Sequence, residues 1–522
     1  MVKIAAKEAY DVVVVGAGAA GGVIAERATR AGKRVLLLEA GPERQLGDLA
    51  SSQIWARKLK WSGPHVEEEG NFKVGHVFNA GWGTGGSALH HYGVWPRLHE
   101  ADFDVASRYE VGLDWPIGYD DLRPYYDKVQ AEVGLSGDAE GETWRPAGEP
   151  YPLPAVPVFA QGEVIRKGFE ALGLRTSAIP LAINTRDYKG RSGCLYDGWC
   201  DAGCPIGALA HPLVTYLGWA LQGGAEIRNR AQVIRILHDD KGQRATGVEY
   251  VDAAGATLQV MADTVVVAAF AVQSARLLLA SASDKHPHGL SNHNGILGRY
   301  LMTHPAASVY GLFKEDTLPH LGPTAGQLMC QDNYDDKTAV PGAFGSYQWL
   351  IANAMKPNGL LGIATTRPDI VGDRLQPFME AAARRIGNMV CVSEDIALAD
   401  NRITLSSNKD ANGVPLARTV HNVTEPSEAL LGSAIEQGKK VFAAGGADVV
   451  WASSAFAMHI MGGTVMGNDP AKSVTDSYGR CHELENLYVA GTSLFPSSGA
   501  VNPTFTLHAL ALRTAEQLFG KH

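Results

Sequence analysis

Cysteine is scarce in this chain, with six in 522 residues. That is too few for a disulfide-stapled scaffold. Charge is scarce too: Asp, Glu, Lys and Arg make up 19% of the sequence. The balance is acidic, with a net charge of −9. A general nucleic-acid binder carries a basic surface, so the composition argues against that class. No run approaches the ~18 uninterrupted apolar residues of a transmembrane helix. There is no internal repeat and no low-complexity tail. Met1 to Tyr10 is short and mixed, without the charged and apolar regions of a leader. The expectation is a cytoplasmic chain, periplasmic only if exported with a signal-bearing partner.

Apolar residues and glycine are plentiful, at 45% and 59 residues. That mix suits a compact enzyme rich in tight turns, not a disordered chain. At about 150 residues per domain the length predicts two to four structural units.

Tyr10 to Val15 is a β-branched run that reads as a buried strand. Glycines follow at once. Ala19 to Ala31 then reads as a helix and Arg34 to Leu38 as a second strand, completing a βαβ unit. Asp120 to Val133 predicts a helix, and the prolines from Pro146 to Pro157 an extended stretch. Thr264 to Ala268 and Leu487 to Ala490 predict further strands of the same sheet, which is therefore assembled from distant pieces of chain.

The turn between the first strand and helix is Gly16-Ala17-Gly18-Ala19-Ala20-Gly21. Gly16 permits the turn, Gly18 lets backbone approach a pyrophosphate, and Gly21 lets helix and strand pack closely. Glu39 ends the second strand, where a carboxylate can hold ribose hydroxyls. This is a dinucleotide site, and the motif alone does not choose between NAD and FAD.

Other segments bear on that choice. Glu39-Ala40-Gly41-Pro42 and Gly83-Thr84-Gly85-Gly86-Ser87 stand near the start of the chain, and Gly298 to Pro305 just past its middle. Ala490-Gly491-Thr492-Ser493 and Gly499-Ala500-Val501-Asn502-Pro503-Thr504 stand near the end. With the glycine turn, these segments make most of the chain resemble the glucose-methanol-choline (GMC) oxidoreductases, which are FAD enzymes. The resemblance is greatest to the sugar branch: pyranose and glycoside oxidases and the bacterial glucose and fructose dehydrogenases.

The resemblance implies an α/β fold. A discontinuous Rossmann-like FAD-binding domain would take residues 1–300 and 450–522, with part of a cap within 50–190. An α+β substrate domain with a mostly antiparallel sheet would take 300–450. The implied FAD contacts are Gly16, Gly18, Ala19, Ala20, Gly21, Glu39, Ala40, Gly85, Gly86, Ser87, His90, His91, Val233, Gly491, Thr492, Asn502, Pro503 and Thr504.

His459, in Met458-His459-Ile460-Met461-Gly462-Gly463, matches the family's catalytic histidine, and Asn502 matches its second active-site position. Alcohol oxidation removes a hydroxyl proton and a carbon-bound hydride. A neutral imidazole can take the proton. An amide can orient the hydroxyl, and flavin N5 receives the hydride. In pyranose oxidases a histidine four residues after the second glycine is the covalent flavin attachment point. His90 has that spacing, but Leu89-His90-His91 replaces the family's Thr-His-Trp. A covalent link at His90 and a noncovalent contact by His90 or His91 both stay open.

The resemblance extends to Cys194, Cys200 and Cys204, whose spacing matches the run that holds a three-iron cluster in the bacterial sugar dehydrogenases, though Leu195 to Trp199 lack the neighbouring second cysteine. Free thiols in a tight loop, or a disulfide, are the other readings. His286, His288 and His293 lack ligand-like regularity. In a chain expected to lack a leader, the sequon Asn422-Val423-Thr424 reads as a chance match. Trp82, Tyr92 and Trp95 suit core or ring stacking, and Tyr347, Gln348 and Trp349 suit a sugar site.

The implied reaction oxidises a ring secondary alcohol, at C2 or C3, of a pyranose or glycoside. Dioxygen is one acceptor. The alternative is an iron–sulfur relay to a cytochrome or quinone, with a small partner subunit. A non-sugar alcohol is a third reading. A non-catalytic flavin-binding protein is a different class, against which the intact His459/Asn502 pair argues. Neither nucleic acid nor membrane is an expected partner.

Overall fold

The computed structural model describes residues 8–60 and 63–521. Met1 to Lys7, on which the leader expectation mainly rests, lie outside the described residues.

The first strand, Ala9–Val15, has parallel neighbours on both sides: Val35–Leu38 and Thr257–Val267. Its valines are buried on both faces, as the unbroken apolar run requires. Glu226–Arg228 extends the sheet beyond Val35–Leu38, and Leu487–Val489 extends it beyond Thr257–Val267. The latter strand has 11 residues and serves two sets of partners. Its second half lies between Ala9–Val15 and Leu487–Val489. Its first half pairs antiparallel with Ala245–Val251, which pairs with Gln232–His238. Helix Ala19–Arg30 covers one face, against helices Tyr216–Gln222 and Thr504–Phe519.

The second sheet runs in the order Val449–Ala452, Met302–Leu312, Ile386–Ser393, Tyr347–Ile351, Leu328–Cys330, Ser177–Ala178. Every neighbour in it is antiparallel. Phe456–Met461 pairs with the start of Met302–Leu312. Helices Glu425–Ala444 and Ala160–Ala171 cover one face of this sheet through a core of Val309, Trp349, Met389 and Phe442. The other face turns toward the first body. The fold is thus mixed α/β, with an FAD-type nucleotide sheet and an antiparallel second sheet.

Within residues 300–450 one piece packs elsewhere. The hairpin Arg402–Lys409/Pro415–Val420 pairs with Val66–Glu69, and Asp410 in its turn is held by Arg276 and Gln232 of the first body. The helix expected at Asp120 to Val133 is Tyr119–Val133, ending at Gly134. The proline stretch carries only the two-residue strand Leu153–Pro154. Among the described residues all six cysteines are free thiols, and no helix is long and apolar enough to cross a membrane.

Histidines are buried without charge in this core. Burial pushes His211 down to about 3, and His304 and His508 down to about 4. The unfolded chain protonates each near 6.5 while the folded chain does not. Each such histidine therefore costs about 1.4 kcal/mol of stability per pH unit as pH falls from 6.5 toward its folded value. Thermal melts should show a steep fall in melting temperature over that window and a plateau above it.

Candidate active site

The glycine turn has little space around it. Gly16 adopts φ +104°, and a Cβ there would stand 2.5 Å from the Ala268 carbonyl oxygen. A Cβ on Gly21 would stand 2.1 Å from the Gly16 oxygen, so helix and turn meet at backbone contact. Gly18 begins the helix opposite Gly86, whose Cβ would reach to 3.2 Å of Gly18 Cα. Glu39 gathers three backbone segments. One carboxylate oxygen accepts from Ala17 N at 3.0 Å. The other accepts from Gly41 N at 2.8 Å and Gly83 N at 3.1 Å. In this structure the carboxylate expected at a ribose thus braces the loops around the turn.

One cavity, about 290 Å³, runs from this turn to His459. The second pocket, beside Glu394 and Ser497, holds about 10 Å³, near the limit for one water. The large cavity is lined by Gly16, Gly18, Ala19, Ala20, Glu39, Ala40, Gly86, Ser87, His90, His91, Val233, Gly491, Thr492, Asn502, Pro503 and Thr504. Two of the expected contacts stand behind its wall. Gly21 packs on the turn, and Gly85 donates from its backbone N–H to the Ala17 carbonyl at 2.8 Å. The wall also holds residues with no sequence signal, among them Lys60, His76, Phe270 and Gln273.

His459 sits on a β-bulge. Thr303 pairs with Ile460 and His304 with Met458, leaving His459 as the extra residue. Its backbone is left-handed, φ +60°, a conformation costing a non-glycine residue of order 1–3 kcal/mol. The Thr303 hydroxyl secures the bulge by donating to the Met458 and His459 carbonyls at 3.0 and 2.8 Å. A bulge re-aims a side chain, and here it turns the imidazole between two partners. His459 Nδ1 lies 2.8 Å from His304 Nδ1, and His459 Nε2 lies 3.1 Å from Asn502 Nδ2.

The proton positions follow from what the partners can do. His304 Nε2 faces the Ser498 and Gly499 carbonyl oxygens at 3.2 and 3.0 Å. A carbonyl only accepts, so His304 carries its hydrogen on Nε2, and its bare Nδ1 accepts from His459 Nδ1–H. His459 Nε2 is then bare and receives the Asn502 amide. Burial, then the neighbouring His304, hold His459 well below the usual imidazole range. The site presents a neutral base with its lone pair beside an amide donor. His304 stands inside the quoted segment ending at Pro305, but only the folded chain shows its partner.

Of the suggested sugar-site residues, Gln348 points to the site and donates to Asn502 Oδ1 at 3.1 Å. Tyr347 and Trp349 point to the opposite face, where both reach Gln437 of helix Glu425–Ala444. Strand alternation requires this separation. Trp95 stacks on Phe505 in the core, whereas Trp82 and Tyr92 line the cavity. Cys194, Cys200 and Cys204 share an apolar cluster with Tyr92 and Met458. Burial pushes the Cys194 thiol up to about 11 and raises the other two as well. Among the described residues no three His, Cys, Asp or Glu side chains form a metal-binding group. His286 and His293 both hydrogen-bond the Glu483 carboxylate. Asn422 accepts from the Asn71 backbone.

Two family models, both described as GMC oxidoreductase, match residues 10–306 and 397–511. The chain belongs to the GMC oxidoreductase family. It is 29% identical to the fructose dehydrogenase large subunit of Gluconobacter japonicus, over 98% of each chain. It is 31% identical to paromamine 6'-oxidase of Streptomyces fradiae, over 98% of this chain and 91% of the relative. Among solved structures, the pyridoxine 4-oxidase of Mesorbium loti superposes with a TM-score of 0.68 at 19% identity, over 98% and 99% of the two chains. That last likeness concerns the fold alone.

GMC proteins bind FAD, and the cavity fits it. The turn has no Cβ atoms where a pyrophosphate would approach, and a helix N-terminus opens beside it. Neither His76 nitrogen has a protein partner, and His90 Nε2 and His91 Nε2 also lack one. Buried polar atoms are rarely left so, and a bound cofactor would answer them.

A methyl group on Gly21 must displace the turn. Gly21→Ala should cost about 1–3 kcal/mol, or roughly 5- to 150-fold in FAD affinity. The ratio of flavin to protein absorbance in the purified variant measures it.

Proposed function

We propose that this GMC oxidoreductase oxidises a ring secondary alcohol, at C2 or C3, of a pyranose or glycoside to a keto sugar. Dioxygen is the proposed acceptor, giving hydrogen peroxide. The observation that carries the reading is the bare His459 Nε2 beside the Asn502 amide on the cavity wall. A substrate hydroxyl entering between them gives its proton to Nε2, while the amide donates to the same oxygen. His304 Nδ1 accepts from the imidazolium as it forms. FAD, when bound, supplies the hydride acceptor.

The wall also suits a polyhydroxylated substrate. Lys60, raised in pKa beside Tyr92 and Asp201 despite its burial, donates to the Asp201 carboxylate at 3.0 Å and to the Tyr92 hydroxyl at 3.3 Å. Tyr92 therefore has its own O–H left to donate to a substrate oxygen. The names of the two relatives, a fructose dehydrogenase and a paromamine oxidase, support a sugar-like substrate and divide over the acceptor.

A second reading keeps the cysteine run as an iron–sulfur relay to a cytochrome or quinone, with a small partner subunit. The "large subunit" in the relative's name favours it, and iron analysis separates the two. His90, held neutral at about 3 by burial and then Lys60, lines the cavity with an Nε2 that has no protein partner. We assign it the flavin contact. Yellow colour that survives acid precipitation would make that contact covalent.

An anaerobic spectrum before and after glucose or a methyl glucoside, followed by air, tests the reaction. Flavin bleaching, rapid recovery and peroxide are expected. No bleaching with any sugar sinks the substrate assignment, and slow recovery in air sinks the oxidase. His459→Ala should keep FAD and lose about 10²–10⁴-fold in the rate of flavin reduction. Because burial lowers the His459 pKa, the parent rate should show no protonation limb at pH 6.5.

A further inference from the structure

The hydrogen bonds at His459 do not stop at Asn502. Asn502 Oδ1 accepts from Gln348 Nε2 at 3.1 Å, and Gln348 Oε1 accepts from Gln331 Nε2 at 3.1 Å. Gln331 Oε1 lies 3.3 Å from His99 Nε2, and His99 Nδ1 lies 2.7 Å from the Asp335 carboxylate. Gln331 and Gln348 extend the register that pairs Cys330 with Trp349. The two glutamines, His99 and Asn502 are buried, while the Asp335 side chain is 70% exposed.

Each amide has one donor end and one acceptor end, so the direction of any bond fixes the next. The Ser498 and Gly499 carbonyls set the first. They leave His459 Nε2 bare, so Asn502 must present nitrogen to it and oxygen to Gln348. Gln348 must then present nitrogen to Asn502 and oxygen to Gln331. Gln331 must present oxygen to His99. All six links donate in one sense, from His99 toward the carbonyls, and because His99 also donates to Asp335 it carries a hydrogen on each ring nitrogen.

We propose that Gln348, Gln331 and His99 are positioning residues that hold Asn502 with its nitrogen toward the catalytic base and the substrate oxygen. This rests on the roles proposed for His459 and Asn502. A reversed Asn502 would put its oxygen against Nε2 and call for a hydrogen there, removing the lone pair the reaction uses. The charged groups around this row are few. Asp335 pairs with His99. Tyr334 stacks on the His99 ring at 4.0 Å and donates to Asp102. Lys337 joins Asp102 to Glu394. None of these hydrogen-bonds the Gln348 side chain, which is held by Gln331 and Asn502.

Two measurements test the proposal. In the holoenzyme with nitrogen-15 histidine, the His459 signal, assigned by its loss in His459→Ala, should show hydrogen on Nδ1 and a bare Nε2. Hydrogen on Nε2 overturns the proposal. This spectrum needs no substrate, so it stands apart from any failure of the sugar assignment.

The second compares Gln348→Glu with Gln348→Met by the pH dependence of flavin reduction, using whichever alcohol reduces the parent. A protonated glutamate can still donate to Asn502, whereas an ionised one only accepts. Gln348→Glu should therefore work at acid pH and lose about 10²-fold as pH rises through its new carboxyl group. Gln348→Met should be impaired without that limb. Parallel profiles for the two variants overturn the proposal, because packing alone would then explain the loss. Should a variant fail to fold, the parent spectrum decides.

Discussion

The carbonyl oxygens of Ser498 and Gly499 can accept hydrogen bonds and cannot return them. That one-sidedness orders the site. It places a hydrogen on His304 Nε2, hence one on His459 Nδ1, and so leaves His459 Nε2 bare beside Asn502. No charge sits on the base to enforce this. Burial holds both rings neutral, and neutral rings with fixed neighbours have one consistent arrangement.

The site depends on two sheets meeting along one stretch of chain. Phe456–Met461 is an edge strand of the second sheet, and Leu487–Val489 is a strand of the first. His459 precedes that passage and Asn502 follows it. Gly462 donates to the Thr492 carbonyl at 3.0 Å, and Met466 donates to the Leu494 carbonyl at 3.0 Å, fastening the two ends together. Nucleotide cradle and base are thus set at a fixed distance by backbone pairing. Glu39 does the same for the cradle by gathering Ala17, Gly41 and Gly83.

Much of the first sheet could be read directly from the chain, because its constraints are local. A valine run buried on both faces and a glycine with no room for a Cβ leave clear marks in the sequence. The sequence predicts only Thr264 to Ala268 of the strand Thr257–Val267, because its first half serves a meander whose partners lie upstream. The fate of Tyr347, Gln348 and Trp349 needed a third dimension. Alternation separates Gln348 from its neighbours, but only the helix over one face tells which side is the site. His304 was visible as part of a motif and silent as to role, since its partner is 155 residues away. The cysteine spacing invited a metal, while burial among apolar side chains follows from packing the spacing does not encode.

The bulge at His459 also bears on how the protein can change. Deleting a residue next to His459 would remove the bulge, restore regular pairing between Phe456–Met461 and Met302–Leu312 and relieve a left-handed backbone. The more regular sheet would be the better-folded one, and it would swing the imidazole to the wrong face. Selection for stability alone therefore pulls against the catalytic geometry at this point, and the strand keeps an imperfection that a purely structural sheet would lose.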